Sequence, residues 1–86
     1  MITNHDTNTH ARLRWQCRRG MLELDELLQN YLDLRYADAD ASEQGAFRAV
    51  LNLSDQEIFD FIFGALAPAD PKLLHVIEQI RRAAGA

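Results

Sequence analysis

At 86 residues the chain has room for one domain and is too short for two independent cores. Its 48% hydrophobic and 26% charged residues are ordinary for a soluble globular protein, and its single cysteine excludes an intrachain disulfide. Charge is uneven: residues 1–20 carry four Arg against one Asp, whereas residues 21–86 carry five basic against twelve acidic groups. Phosphate attraction at the basic edge would therefore meet repulsion from most of the surface, which argues against broad nucleic-acid binding.

Helical periodicity dominates and nothing alternates as a strand, so the predicted fold is all-α: one compact bundle of about five short helices in a single domain. Residues of about 1–8 are polar and read as a disordered lead-in. A short helix follows from about Thr9, its plausible N-cap, to Arg18, and Gly20 breaks it. The second helix runs from about Met21 to Arg35, with Leu24, Leu27, Leu28, Tyr31 and either Leu34 or Leu32 on one apolar face. Tyr36 to Ala41 reads as a connector, with Ser42 as the next cap. Helix three covers about Glu43 to Leu51, turning Phe47, Val50 and Leu51 inward.

Ser54 and Glu57 have the spacing of a capping box, in which side chain and backbone satisfy each other reciprocally. Helix four is predicted from about Asp55 to Leu66. Ile58, Phe59, Phe61, Ile62, Ala65 and Leu66 share its broad apolar face, with Phe63 at the margin. Pro68 stops it, and Asp70-Pro71 opens the last helix as cap and first helical residue. Leu73, Leu74, Val76, Ile77 and Ile80 line that helix's core face. Arg81 and Arg82 near its end suit the helix dipole.

Most catalytic chemistry has no foothold. His5, His10 and His75 are scattered, and Cys17 has no second cysteine, so there is no zinc pattern. His75 reads as a solvated histidine. Glycine-rich phosphate loops and dinucleotide fingerprints are absent. Cys17 lacks an activating histidine and reads as a packed thiol, while the acidic pairs Asp25/Glu26 and Asp38/Asp40 read as solvated groups. No apolar run approaches the roughly 20 residues of a membrane span, and the N-terminal residues look neither like a secretory signal nor like a mitochondrial leader. The expected location is cytoplasmic, and the expected protein is not an enzyme.

The exception is Trp15-Gln16-Cys17-Arg18-Arg19-Gly20-Met21-Leu22-Glu23-Leu24-Asp25, which packs an aromatic, a thiol, two arginines, a glycine and two acids into one helix junction. If Gly20 is the N-cap, Glu23 takes the third helical position, where its carboxylate can meet free backbone N–H groups. Gly20 offers a bare floor for close approach. At least one of Arg18 and Arg19 should project into solvent as a planar donor. Spacing alone favours a plainer reading: Gly20 breaks a helix, Glu23 caps one, and Arg19 is solvated.

The stretch W-x-C-R-R-G-M-x-E-L-D closely resembles the signature of the succinate dehydrogenase assembly factor family, the bacterial SdhE/YgfY proteins and their mitochondrial relatives. Its core, R-G-x-x-E, is matched by Arg19, Gly20 and Glu23. The likeness continues through Phe47 to Phe63, a Pro-x-Asp turn and the amphipathic Leu73 to Ile80, and so covers residues of about 10–82. R-G-x-x-E alone is weak; within the longer motif it is strong. Two positions depart from the family pattern: Phe61 stands where a tryptophan is common, and Leu22 where a charged or polar residue is usual. Leu22 falls on the polar side of helix two and would be an exposed contact unless the helical register is shifted by one.

The resemblance implies a small all-helical assembly factor with no cofactor of its own. It would bind the flavoprotein subunit of succinate dehydrogenase, and in bacteria also that of fumarate reductase, and promote covalent attachment of FAD. Arg19, Gly20 and Glu23 would contact the immature flavoprotein, with Arg18, Trp15, Met21 and Asp25 beside them. On this reading Arg19, Gly20 and Glu23 serve binding more than folding. The alternative is a small binding module in which Arg12, Arg14, Arg18, Arg19 and Trp15 engage nucleic acid or an acidic protein, an antitoxin-type role included.

Overall fold

The computed structural model describes residues 10–84. The expected lead-in and the Thr9 cap lie outside them. Every regular element among the described residues is helical, as the sequence predicts. Helix α1 is described over 10–16. It is followed by α2 (Leu22–Leu34), a 3-10 turn (Tyr36–Asp38), α3 (Ala41–Leu51), α4 (Asp55–Phe63) and α5 (Pro71–Ala84).

The core is one cluster fed by every helix. Helix α2 contributes Leu24, Leu28, Tyr31 and Leu32, which settles the choice between Leu32 and Leu34: Leu34 is exposed. Helix α3 adds Ala46, Phe47, Val50 and Leu51, and α5 adds Val76, Ile77, Ile80 and Ala83. Helix α5 packs against α2, α3 and α4 and so forms the spine of the bundle. Each fully buried Leu, Ile or Phe contributes about 1.5–3 kcal/mol of hydrophobic stabilisation, so a modest number of them must hold this small domain. Leu13 of α1 and Cys17 just after it enter the same core one helical turn apart.

The local signals agree with the sequence at some ends and not at others. Ser54 and Glu57 form the capping box, and the Asp70 carboxylate accepts from the Lys72 N–H at 2.9 Å. At α3 the cap is Asp40, whose side chain accepts from the Glu43 N–H at 2.8 Å, and Ser42 lies within the helix. A carboxylate two residues earlier takes the cap in place of the serine hydroxyl.

Helix α4 stops at Phe63, short of the expected Leu66, and Ala65 and Leu66 are exposed beyond it. Gly64 closes that end, where an added Cβ would sit 2.8 Å from the Asp60 carbonyl oxygen. Arg81, expected to serve the C-terminus of its own helix, instead donates to the carbonyls of Ile62 (3.0 Å) and Phe61, closing the end of α4.

The connector after α2 is less passive than its composition indicates. Tyr36 is buried, with its ring 5.6 Å from that of Phe47 and 6.5 Å from that of Tyr31. Tyr31 donates to a carboxylate oxygen of Glu43 at 2.7 Å, and the other oxygen lies 2.9 Å from His75 Nε2. Burial, then the Glu43 carboxylate, pushes the Tyr31 phenol well above its ordinary range. His75 is thus surface-exposed as expected, yet it is tied to α3.

Candidate functional site

The junction between α1 and α2 is held by three inward-directed groups. Cys17 is fully buried at the end of α1, where its N–H donates to the Leu13 carbonyl at 3.1 Å. Burial pushes the thiol up to about 11, against the opposing pull of Arg19 and Arg14, so it stays protonated at neutral pH. This is the packed thiol the sequence indicated, and it is unsuited to nucleophilic catalysis.

The second group is Asp25. Gly20 adopts φ +81°, a left-handed conformation that L side chains rarely take. That bend swings the Arg19 and Gly20 N–H groups toward α2, where they donate to the two carboxylate oxygens of Asp25 at 2.7 and 3.2 Å. The N-cap of α2 is Met21, which makes no side-chain cap bond. Gly20 is therefore not the N-cap, and Glu23 does not hold the junction's backbone. The glycine is needed for its backbone angle, which moves the cap one residue on and brings Asp25 to the orphaned donors.

Arg19 is the third group. Its guanidinium donates to the carbonyls of Leu51 and Leu53 (3.3 Å) and to Asp55 Oδ1 (3.2 Å), while Nε donates to the Gln16 carbonyl at 2.9 Å. Only 14% of its side chain is exposed. It locks the junction to the turn between α3 and α4 and satisfies carbonyls left open where α3 ends. Beside the binding role expected of it, Arg19 therefore has a folding role.

The outward-facing groups form a different set. Trp15 is 71% and Leu22 73% exposed, so Leu22 does lie on the polar side of α2. Arg18 and Glu23 are exposed too, and Met21 is half-buried against the core. Of the two adjacent arginines, Arg18 is the one that projects. A Cβ added at Gly20 meets nothing within 4 Å, so the floor anticipated there is open. Phe61 is half-buried against the core.

The arginine edge that would carry nucleic-acid binding is partly spent internally. Arg14 forms an ion pair with Asp33 of α2, and Arg19 is committed to the carbonyls described above. Among the described residues no group of His, Cys, Asp and Glu could hold a metal ion, and no helix is long and apolar enough to cross a membrane.

Sequence reasoning missed what lies beside Glu23. Glu23, Glu26, Leu27 and Asn30 of α2 line a shallow groove with Phe63 at the end of α4 and Ala84 at the end of α5. Phe63 is 44% exposed there. Helical spacing places the α2 residues on one side, but only the tertiary fold brings residues 63 and 84 to them.

Fold and junction together define a small helical bundle whose braced turn presents an aromatic, an arginine, an apolar side chain and an acid to solvent. Comparison with known proteins makes this specific. Residues 11–84 match the family model described as flavinator of succinate dehydrogenase, and the chain belongs to that family. Its relatives include proteins named FAD assembly factor SdhE. That of Methylococcus capsulatus is 40% identical over 75 residues, covering 87% of this chain and 90% of the relative. The Shewanella oneidensis relative is 41% identical over 71 residues (83% and 87%), and the Pseudomonas aeruginosa relative 39% over 75 residues (87% and 89%). These are names of assembly factors, not of enzymes. No solved structure matches the chain significantly.

Proposed function

We propose that this protein binds the flavoprotein subunit of succinate dehydrogenase in the cytoplasm and promotes covalent attachment of FAD to it. The observation that carries the reading is the division of the family motif into a bracing set (Cys17, Arg19, Asp25) and an exposed set (Trp15, Arg18, Leu22, Glu23). A surface whose backbone is fixed before contact loses little entropy on binding, and an exposed tryptophan is the kind of side chain that anchors an interface. The protein would hold the immature flavoprotein in the conformation where the flavin bond forms. The bond-forming chemistry belongs to the flavoprotein and its FAD, and the assembly factor needs no cofactor of its own. The flavoprotein of fumarate reductase is a further candidate partner.

The test is in-gel fluorescence of covalent flavin in source cells carrying the wild-type gene, no gene, or Trp15→Ala or Glu23→Ala as the sole copy. The reading expects strong loss of covalent flavin without the gene and with either variant, and flavoprotein capture by the wild-type protein alone. Normal flavin content in cells lacking the protein would end it.

A further inference from the structure

Glu23 has no bracing role, because Asp25 supplies the carboxylate that holds the junction. Its acid is exposed on the groove it shares with Glu26, three residues along the same helix face. Among the described residues neither carboxylate forms an ion pair. The facing wall is apolar: Phe63 is partly exposed and Ala84 is small, with the half-buried Leu27 at the floor. Arg19, the nearest cation by sequence, is turned away into the α3–α4 turn.

An apolar wall opposite two free carboxylates complements one kind of side chain, an aliphatic stem ending in a cation. Stem and aromatic remove apolar surface from water together, and the cation can lie over the ring face while its donors reach the acids. A wholly apolar occupant would leave two charges desolvated and unpaired, and an acidic one would be repelled. We propose that this groove is a second contact of the docking surface and receives an arginine or lysine side chain of the partner flavoprotein. The proposal rests on the function proposed above and adds the chemistry of what the partner must present.

Substitutions at two positions outside the R-G-x-x-E motif test it. Glu26→Lys reverses a charge at an exposed helical site, and Phe63→Ser removes the apolar wall at the end of α4, where the ring also packs on Phe59. Affinity for the purified apo-flavoprotein of succinate dehydrogenase would be measured by calorimetry at two salt concentrations, with circular dichroism confirming that each variant is folded. Each variant should weaken binding about tenfold or more. Glu26→Gln should weaken it less and reduce its salt dependence, because one screened charge pair is lost.

Glu26→Lys and Phe63→Ser binding within about twofold of wild type would overturn the groove proposal and leave the proposed function standing. If Phe63→Ser unfolds, Glu26→Lys and the salt slope decide alone. Failure of the wild-type protein to bind the apo-flavoprotein would sink both.

Discussion

Replacing Arg19 with alanine removes a guanidinium that joins three parts of the chain: the end of α1, the carbonyls at and just after the end of α3, and the first residue of α4. The Asp55 contact adds little, since that carboxylate is nearly half exposed. The carbonyl contacts matter more. Hydrogen bonds to a charged donor are worth about 1.5–3 kcal/mol, and the Leu51 carbonyl closes a helix end at the edge of the core. Water can replace part of what the exposed Gln16 contact supplies. We expect a net loss of about 2 kcal/mol, a lowering of the melting temperature by about 10 °C for a domain of this size. Arg19→Lys should recover less than half of that, because an ammonium cannot span carbonyls that a planar fork bridges. Urea denaturation monitored by circular dichroism measures both. If Arg19→Ala unfolds within about 0.5 kcal/mol of wild type, the bracing assignment is wrong and Arg19 returns to the surface set.

Gly20→Ala should cost about 1 kcal/mol through the left-handed backbone angle alone, since the added methyl meets nothing, and chemical denaturation reads the loss. Asp25→Ala should destabilise by about 1–2 kcal/mol by stranding two N–H groups, whereas Glu23→Ala should stay within about 0.5 kcal/mol; equal effects of the two in the same urea titrations would contradict the cap assignment. Cys17 is held at about 11 in the fold against an ordinary 9.0, so the unfolded chain loses its proton first. Stability is therefore fully present below pH 9 and falls as pH rises toward 11; Tyr31 shifts the same way at higher pH, and the alkaline slope should be shallower in Cys17→Ala.

Much of the fold is legible because a helix writes its buried face into the sequence at a fixed period. Leu24, Leu28 and Tyr31, or Val76, Ile77 and Ile80, are core residues by spacing before any neighbour is known. Ser54–Glu57 and Asp70–Pro71 are readable for the same reason, since the capping partner lies within a turn. The misreadings occur where a choice depends on contacts across the chain. Leu34 and Leu32 fit the apolar stripe equally well, and only the packing of α5 against α2 separates them. Arg81 looks like an end-of-helix charge on α5 until the carbonyls of α4 are brought beside it. At the junction the competition is local but nearly degenerate: Glu23 and Asp25 both follow a glycine by a short interval. The left-handed turn at Gly20, invisible in composition, decides for Asp25.

That decision changes what the motif means. Within eleven residues the side chains divide by direction: Cys17, Arg19 and Asp25 hold the turn from inside, whereas Trp15, Arg18, Leu22 and Glu23 face out. The two sets interleave because one backbone must satisfy both demands. A tight left-handed bend exposes a bare floor, and it also turns two N–H groups inward to the Asp25 carboxylate, while Arg19 reaches the carbonyls at the end of α3. Two members of one motif can therefore owe their presence to different physics: Arg19 ties the turn to α3 and α4, and Glu23 is exposed with no bracing contact. Loss of function in Arg19→Ala would by itself be ambiguous between lost contact and lost shape. The same loss in Glu23→Ala, with stability unchanged, would report contact alone, and Glu23 is where the docking reading has to stand or fall.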